Sequence, residues 1–247
     1  MILEVKNLSK VYEKRFLFSK ERKNVLKDIS FEVKPGEIFS IIGQSGVGKS
    51  TIGKIILGIE ESTDGEIKFL NRDISFRKSE DIQMIFQDPY SSLNPAMKIK
   101  DILAEPLKAN GEKNSQRILE KVKNILNEVG LNEEFLVKYP GELSGGQRQR
   151  VVIGCAMILN PKLVVCDEPV ASLDLAVQRQ ILDLIKKFNR ENKTTFIFIS
   201  HDLGVVYNIS DRVMVLYRGE IQEITEVEEF FSNPRSEYGK YLLEGIR

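Results

Sequence analysis

The strongest constraint on this chain is eight residues long. Gly43-Gln44-Ser45-Gly46-Val47-Gly48-Lys49-Ser50 follows a short, β-branched apolar run, Ile38-Phe39-Ser40-Ile41-Ile42, and precedes an apolar helical pattern from Ile52 to Leu57. A strand buried on both faces, a glycine-rich turn and a helix are therefore predicted in direct succession. Glycines let the backbone wrap closely enough for successive N–H groups to converge on an anion, and the helix N-terminus adds its positive dipole end. The spacing is that of the P-loop, in which Lys49 is expected to neutralise the β- and γ-phosphates of a nucleotide and Ser50 to offer its hydroxyl to Mg²⁺.

The rest of the chain supplies an α/β frame for such a loop. Ile2 to Tyr12 and Val25 to Val33 alternate apolar and polar residues, as antiparallel strands with one solvated face do. Leu163-Val164-Val165-Cys166 and Phe196-Ile197-Phe198-Ile199 are buried-strand runs separated by an amphipathic stretch around Gln178 to Phe188, which implies a parallel sheet with crossover connections. Between Asn94 and Arg150 the character turns helical. Ile118, Leu119, Val122, Ile125, Leu126 and Val129 recur at helical spacing, and Gly130 stands where a left-handed helix end is wanted. Val213–Leu216 and Glu220–Ile224 flank Arg218-Gly219 as a hairpin.

Thirty-six basic residues balance thirty-six acidic ones, so the molecule lacks the positive field of a dedicated nucleic-acid binder. The densest basic cluster, Lys20, Arg22, Lys23 and Lys27, reads as a solvated loop. The start of the chain predicts no signal peptide, and no run approaches the roughly 20 apolar residues of a membrane-spanning helix. Cys155 and Cys166 cannot furnish a four-ligand metal site by themselves and are expected to be buried, reduced thiols.

Two further segments carry chemistry. Asp167-Glu168 follows a buried strand, at the carboxyl end where parallel sheets bind ligands. Asp167 is expected to steady a Mg²⁺ shell and Glu168 to orient, or take a proton from, the water that attacks the γ-phosphate. Their side chains should point apart along an extended segment. In Leu143-Ser144-Gly145-Gly146-Gln147, Ser144 and Gln147 have the form of a capping box, which places a hydroxyl and glycine N–H groups at the start of a helix predicted through Leu159. That is a second anion site in the same chain.

Together with the P-loop, Leu143–Gln147 resembles the signature motif of ABC ATPases, and the resemblance spans nearly the whole chain. It implies a P-loop NTPase core of ABC ATPase type, with an antiparallel β subdomain and an inserted helical subdomain. The corresponding boundaries are residues 1–90 for the β subdomain and P-loop core, 91–155 for the helical subdomain, 156–220 for the rest of the core and 221–247 for a C-terminal tail. It also implies that Ser144, Gly145, Gly146 and Gln147 of one subunit complete the ATP site formed by Gly43, Ser45, Gly46, Gly48, Lys49, Ser50 and Thr51 of another. Tyr12 resembles the aromatic that stacks on adenine, with Phe16 and Phe18 as alternatives. Gln87 resembles the glutamine linking the Mg²⁺ site, with Ser50 and Asp167, to membrane subunits. Ser172-Leu173-Asp174 is similar to the loop that communicates across a dimer, and His201, the chain's one histidine, to the switch histidine at the γ-phosphate.

Phe86-Gln87-Asp88-Pro89-Tyr90-Ser91-Ser92-Leu93-Asn94-Pro95, Asp167–Asp174 and Asn233–Leu243 resemble segments of the ATPases of oligopeptide, dipeptide and nickel importers. Ser236-Glu237 departs from the His-Pro common there, and Gly141 replaces a commoner residue. The resemblance implies an ATP hydrolase at the cytoplasmic face of the cell membrane. Its partners would be transmembrane permeases, a second ATPase subunit (this chain or a homologue) and, indirectly, an extracytoplasmic substrate-binding protein. Peptide and metal-ion cargo both remain open on the sequence. A soluble ABC ATPase acting on nucleic acid or ribosomes is the alternative from another class; tandem ATPase domains, long heptads and zinc-binding cysteines, its usual marks, are not seen in this sequence.

Overall fold

The computed structural model describes residues 1–15, 20–78 and 80–245. The chain divides into two compact units, one of Met1–Arg77 with Thr195–Arg247 and one of Lys78–Thr194. In the first, β1 (Leu3–Arg15) and β2 (Lys20–Val33) pair antiparallel, with Leu3 opposite Val33 and Tyr12 opposite Lys23. Leu3, Val5, Leu8, Leu26, Ile29, Phe31 and Val33 are buried, so the predicted alternation corresponds to one face of this pair. Both strands run beyond it into polar sequence, where Arg22 and Glu13 form an ion pair at 2.7 Å. Lys27 likewise pairs with Glu220 at 2.9 Å, so acidic neighbours offset part of the basic cluster.

Next come the wholly buried β3 (Ile38–Ile42), helix α1 (Lys49–Ile56), β4 (Asp64–Phe69) and β5 (Arg72–Asp73). The antiparallel sheet has the order β2-β1-β4-β5.

The second unit holds β6 (Ile82–Ile85), a single helical turn α2 (Pro89–Ser92), α3 (Ile99–Ala109), α4 (Ser115–Glu128), α5 (Gly145–Met157), β7 (Leu163–Asp167) and α6 (Leu175–Asn192). β6 and β7 pair in parallel, with Ile85 beside Cys166. Helices α3, α4 and α5 pack on one another. Helix α4 starts where Asn114 accepts hydrogen bonds from the Gln116 and Arg117 amides, at 3.0 and 3.1 Å, and it buries Ile118, Val122, Ile125 and Leu126 on one face. Gly130 follows with φ 74°, the left-handed stop that its position predicts.

The chain returns to the first unit with β8 (Thr195–Ser200), α7 (Leu203–Ile209), β9 (Arg212–Tyr217), β10 (Glu220–Glu226), α8 (Val227–Ser232) and α9 (Glu237–Glu244). β3 lies between β8 and β9, parallel to both, and β10 turns back antiparallel on β9 through Arg218 and Gly219. Central strands buried on both faces explain the unbroken apolar runs of β3, β7 and β8. The architecture is the α/β class expected, with parallel strands, an antiparallel sheet and a helical segment. Among the described residues no helix is long and apolar enough to cross a membrane.

Candidate functional site

The glycine-rich loop connects β3 to α1 within the first unit. Gly43 has φ 151°, and a Cβ there would stand 2.2 Å from the Leu216 carbonyl oxygen. Gly48, at φ 112°, caps α1 without a side-chain acceptor, and no acidic residue occupies the first turn. A helix end of this kind presents positive potential to an incoming anion. Lys49 is buried, and its Nζ donates to the carbonyls of Gly43 at 2.7 Å and Gln44 at 3.0 Å. The ammonium is thus folded back on its own loop, and a bound phosphate would exchange these carbonyls for charged oxygens.

Tyr12 leaves β1 half-buried. Its hydroxyl donates to the Glu60 carboxylate, and Lys10 Nζ stands 4.9 Å from the ring centroid. Burial raises the phenol's pKa and Glu60 reinforces this, while a hydrogen bond with the Thr51 side chain opposes it. Tyr12 and Thr51, both expected to contact nucleotide, are therefore brought together. Phe16 and Phe18 lie outside the described residues. His201 is exposed directly after β8, and Asp202 beside it caps α7 by accepting from the Val205 amide at 3.1 Å.

In the second unit, the parallel register of β6 and β7 releases Gln87 and Glu168 side by side. Gln87 Nε2 donates to Glu168 Oε2 at 3.1 Å. Asp167 is the last residue of β7 and is buried. Glu168 is not extended: its φ is 49°, so simple alternation along a strand does not set its direction. A left-handed non-glycine residue costs about 1–2 kcal/mol and persists only where its surroundings hold it. Asp88 caps α2, and hydrogen bonds from the Tyr90 amide and the Ser91 hydroxyl keep its carboxyl below the usual carboxylate range.

Ser144 caps α5 as expected. Its Oγ accepts from the Gln147 amide at 3.3 Å, and Gln147 Oε1 accepts from the Ser144 amide at 2.9 Å. Removing the hydroxyl with Ser144→Ala should cost about 1 kcal/mol, read as a melting-temperature fall of about 3 °C. Asp174 caps α6 in the same manner through the Ala176 and Val177 amides. The two capped ends are neighbours: a Cβ on Gly146 would stand 2.5 Å from Val177 Cγ1, and one on Gly145 would stand 3.7 Å from Leu173 Cδ2. Leu143–Gln147 and Ser172–Asp174, separate motifs in sequence, thus form one surface.

The contacts of Arg148 were not legible in the sequence. It is buried, donates through Nε to the Pro140 carbonyl at 2.6 Å and lays its guanidinium 4.0 Å from the centre of the exposed Tyr90 ring. This contact joins the segment after Gln87 to the helix that begins at Gly145. The only hint in the sequence is an arginine on the inward face of α5. Cys166 is buried and Cys155 half-buried at the residue level; burial pushes the Cys155 thiol up to about 12 and Cys166 higher still, so neither is a nucleophile at neutral pH.

Comparison with known proteins agrees with this arrangement. The family profile described as ABC transporter matches residues 26–171. The oligopeptide transport ATP-binding protein OppF of Streptococcus pyogenes serotype M1 is 42% identical, across 99% of this chain and 81% of its own length. The oligopeptide transport ATP-binding protein AmiF of Streptococcus pneumoniae serotype 4 is 44% identical, across 90% of this chain and 75% of its own. Among solved structures, the dimeric post-hydrolysis state of the ATP-binding cassette MJ0796, bound to ADP and Pi, superposes with TM-score 0.80 at 30% identity, covering 91% of this chain and 98% of that one. The CbiO1 protein of Clostridium perfringens, part of the ABC transporter complex CbiONQ, gives TM-score 0.81 at 30% identity over 94% of this chain and 91% of its own. With a loop built for phosphate, a carboxylate pair beyond a parallel strand and a capped Leu-Ser-Gly-Gly-Gln helix, the chain belongs to the ABC transporter family of ATP-binding proteins.

Proposed function

We propose that this chain is the ATP-binding and ATP-hydrolysing subunit of an ABC importer, and that it couples closure of an ATPase dimer to the movement of peptides across the membrane. The observation that carries the reading is similarity along 99% of the chain to a protein described as an oligopeptide transport ATP-binding protein. That description favours peptide over metal-ion cargo. Balanced charge weighs against a nucleic-acid partner. The chain would work at the cytoplasmic face of the membrane, beneath separate permease subunits that receive cargo from an extracytoplasmic binding protein.

In this reading, the backbone of Gly43, Ser45, Gly46 and Gly48 cradles the ATP phosphates, with Ser50 and Thr51 at the start of α1. Lys49 turns from its loop carbonyls to the β- and γ-oxygens, and Tyr12 lies against adenine. The Ser50 hydroxyl, the Gln87 amide oxygen and the Asp167 carboxylate are hard oxygen donors. They suit Mg²⁺, which is usually held by one or two carboxylates plus phosphate and water. When bound, that ion supplies charge neutralisation at the phosphates.

Glu168 takes the proton of the attacking water as its oxygen bonds to the γ-phosphorus and the bond to the β-phosphate oxygen breaks, leaving ADP and Pi. His201 contacts the γ-phosphate. Ser144, Gly145, Gly146 and Gln147 of a second ATPase subunit complete the site, so ATP itself holds the pair closed. Its preference for the closed pair supplies the energy that moves the permeases.

Lys49→Ala should weaken ATP binding about 100-fold, the loss expected for two charge-assisted hydrogen bonds, as measured by titration with a fluorescent ATP analogue. The cargo is tested by co-purifying the chain with its permeases into proteoliposomes. ATPase stimulation by a peptide-loaded binding protein supports the peptide reading, and stimulation by nickel alone would replace it.

A further inference from the structure

The tail Asn233–Leu243 points to a subgroup by resemblance, yet none of the ATP chemistry above uses it. Its fixing is elaborate. Glu223, a buried carboxylate on β10, accepts hydrogen bonds from the Arg235 amide at 2.9 Å, the Ser236 amide at 3.2 Å and the Ser236 hydroxyl at 2.6 Å. Ser236 in turn caps α9 by accepting from the Gly239 amide at 2.9 Å. Here the serine that departs from His-Pro has a structural part. Gly239 is pressed so close that a Cβ would stand 2.2 Å from Glu223 Oε1.

This anchoring delivers Tyr238 into a core formed with Ile42, Leu203, Val206, Val213, Val215 and Phe230. The ring stacks on Tyr217 at 4.1 Å between centroids. Tyr238 is only 9% exposed, and its hydroxyl makes no well-formed hydrogen bond. A buried hydroxyl without a partner is costly, so its retention asks for a reason. Ile42, in the same core, leads directly into the phosphate loop, and the Gln44 amide two residues on acts on the hydroxyl. Burial raises the phenol's pKa, and that N–H pulls it the other way.

The Gln44 N–H belongs to the same peptide unit as the Gly43 carbonyl, and that carbonyl receives Lys49 Nζ at 2.7 Å. Lys49 holds one end of this rigid plane, and the Gln44 N–H that acts on Tyr238 is the other. We propose that Tyr238 is a positioning residue of the phosphate loop: when Lys49 leaves the Gly43 carbonyl for a bound phosphate, the Tyr238 hydroxyl accepts the Gln44 N–H and keeps the Gly43–Gln44 peptide from turning. The C-terminal tail is then part of nucleotide recognition, a role that rests on the ATP-binding reading above.

Removing the hydroxyl separates this role from packing, because the two predict opposite trends. Tyr238→Phe keeps the ring and deletes an unsatisfied buried group, so the unliganded protein should melt no lower than the native chain. At the same time its affinity for N-methylanthraniloyl-ATP with Mg²⁺ should fall about fivefold, with an equal rise in KM for ATP. Leu242→Ala loosens the packing around Tyr238 but keeps the hydroxyl, and should lower the melting temperature with little change in affinity. An affinity within twofold of native for Tyr238→Phe overturns the proposal, as does a loss in Leu242→Ala equal to that in Tyr238→Phe. Lys49→Ala, run alongside, distinguishes the two levels: native-like affinity in that variant would overturn the ATP-site reading itself.

Discussion

Replacing Glu168 by glutamine should slow ATP turnover about 100- to 1,000-fold while leaving ATP binding intact. The amide has the size of the carboxylate and can still accept from Gln87 Nε2, which lies 3.1 Å from Glu168 in the native chain. The ends of β6 and β7 therefore keep their arrangement. What the variant lacks is a group that takes a proton from the attacking water at neutral pH. With hydrolysis blocked, an ATP-closed dimer should accumulate, so light scattering with ATP and Mg²⁺ reads both the chemistry and the assembly. A doubling of mass establishes that two copies of this chain suffice. Unchanged mass with ATP bound favours a mixed pair of ATPases, and near-native turnover removes Glu168 from the role of base.

The pairing of Gln87 with Glu168 also marks where the sequence stops being readable. Features fixed by near neighbours were legible: the continuous apolar runs of β3 and β8, the serine and glutamine three residues apart that cap α5, and the glycine ending α4. Each depends on local geometry or on burial of one short segment. β6 is four residues long, too short for a period, and its partner strand begins at Leu163. The contact between Gln87 and Glu168 is a consequence of that distant register and has no local signal. The left-handed backbone at Glu168 was illegible for a related reason: a glutamate carries no intrinsic preference for it, and only the surrounding fold holds it there. β1 and β2 were read short because their outer halves are polar and bonded through backbone and ion pairs. The tail was visible as a motif but not as packing, since Tyr238 meets Ile42 only once β9 lies beside β3 and β10 beside β9.

Gly43→Ala should be the most damaging single-methyl change in the phosphate loop. The added carbon would stand 2.2 Å from the Leu216 carbonyl oxygen, far inside contact distance, and the obstacle is backbone. β9 cannot retreat easily, because β3 pairs with it up to Ile42 opposite Val215. The φ of 151° adds strain for any side chain. Together these predict roughly 2–4 kcal/mol of destabilisation, a fall of about 5–15 °C in melting temperature. Nucleotide binding should be lost more completely than stability, since the displaced Gly43 carbonyl is one of the two that position Lys49 and its shift distorts the loop whose N–H groups would meet the phosphates. Gly141→Ala provides the control: a Cβ there meets nothing within 4 Å, so its stability should stay within about 0.5 kcal/mol of native. If Gly43→Ala melts and binds ATP like that control, β3 and β9 are not the rigid mould that shapes the loop, and the loop's geometry must be set by the nucleotide.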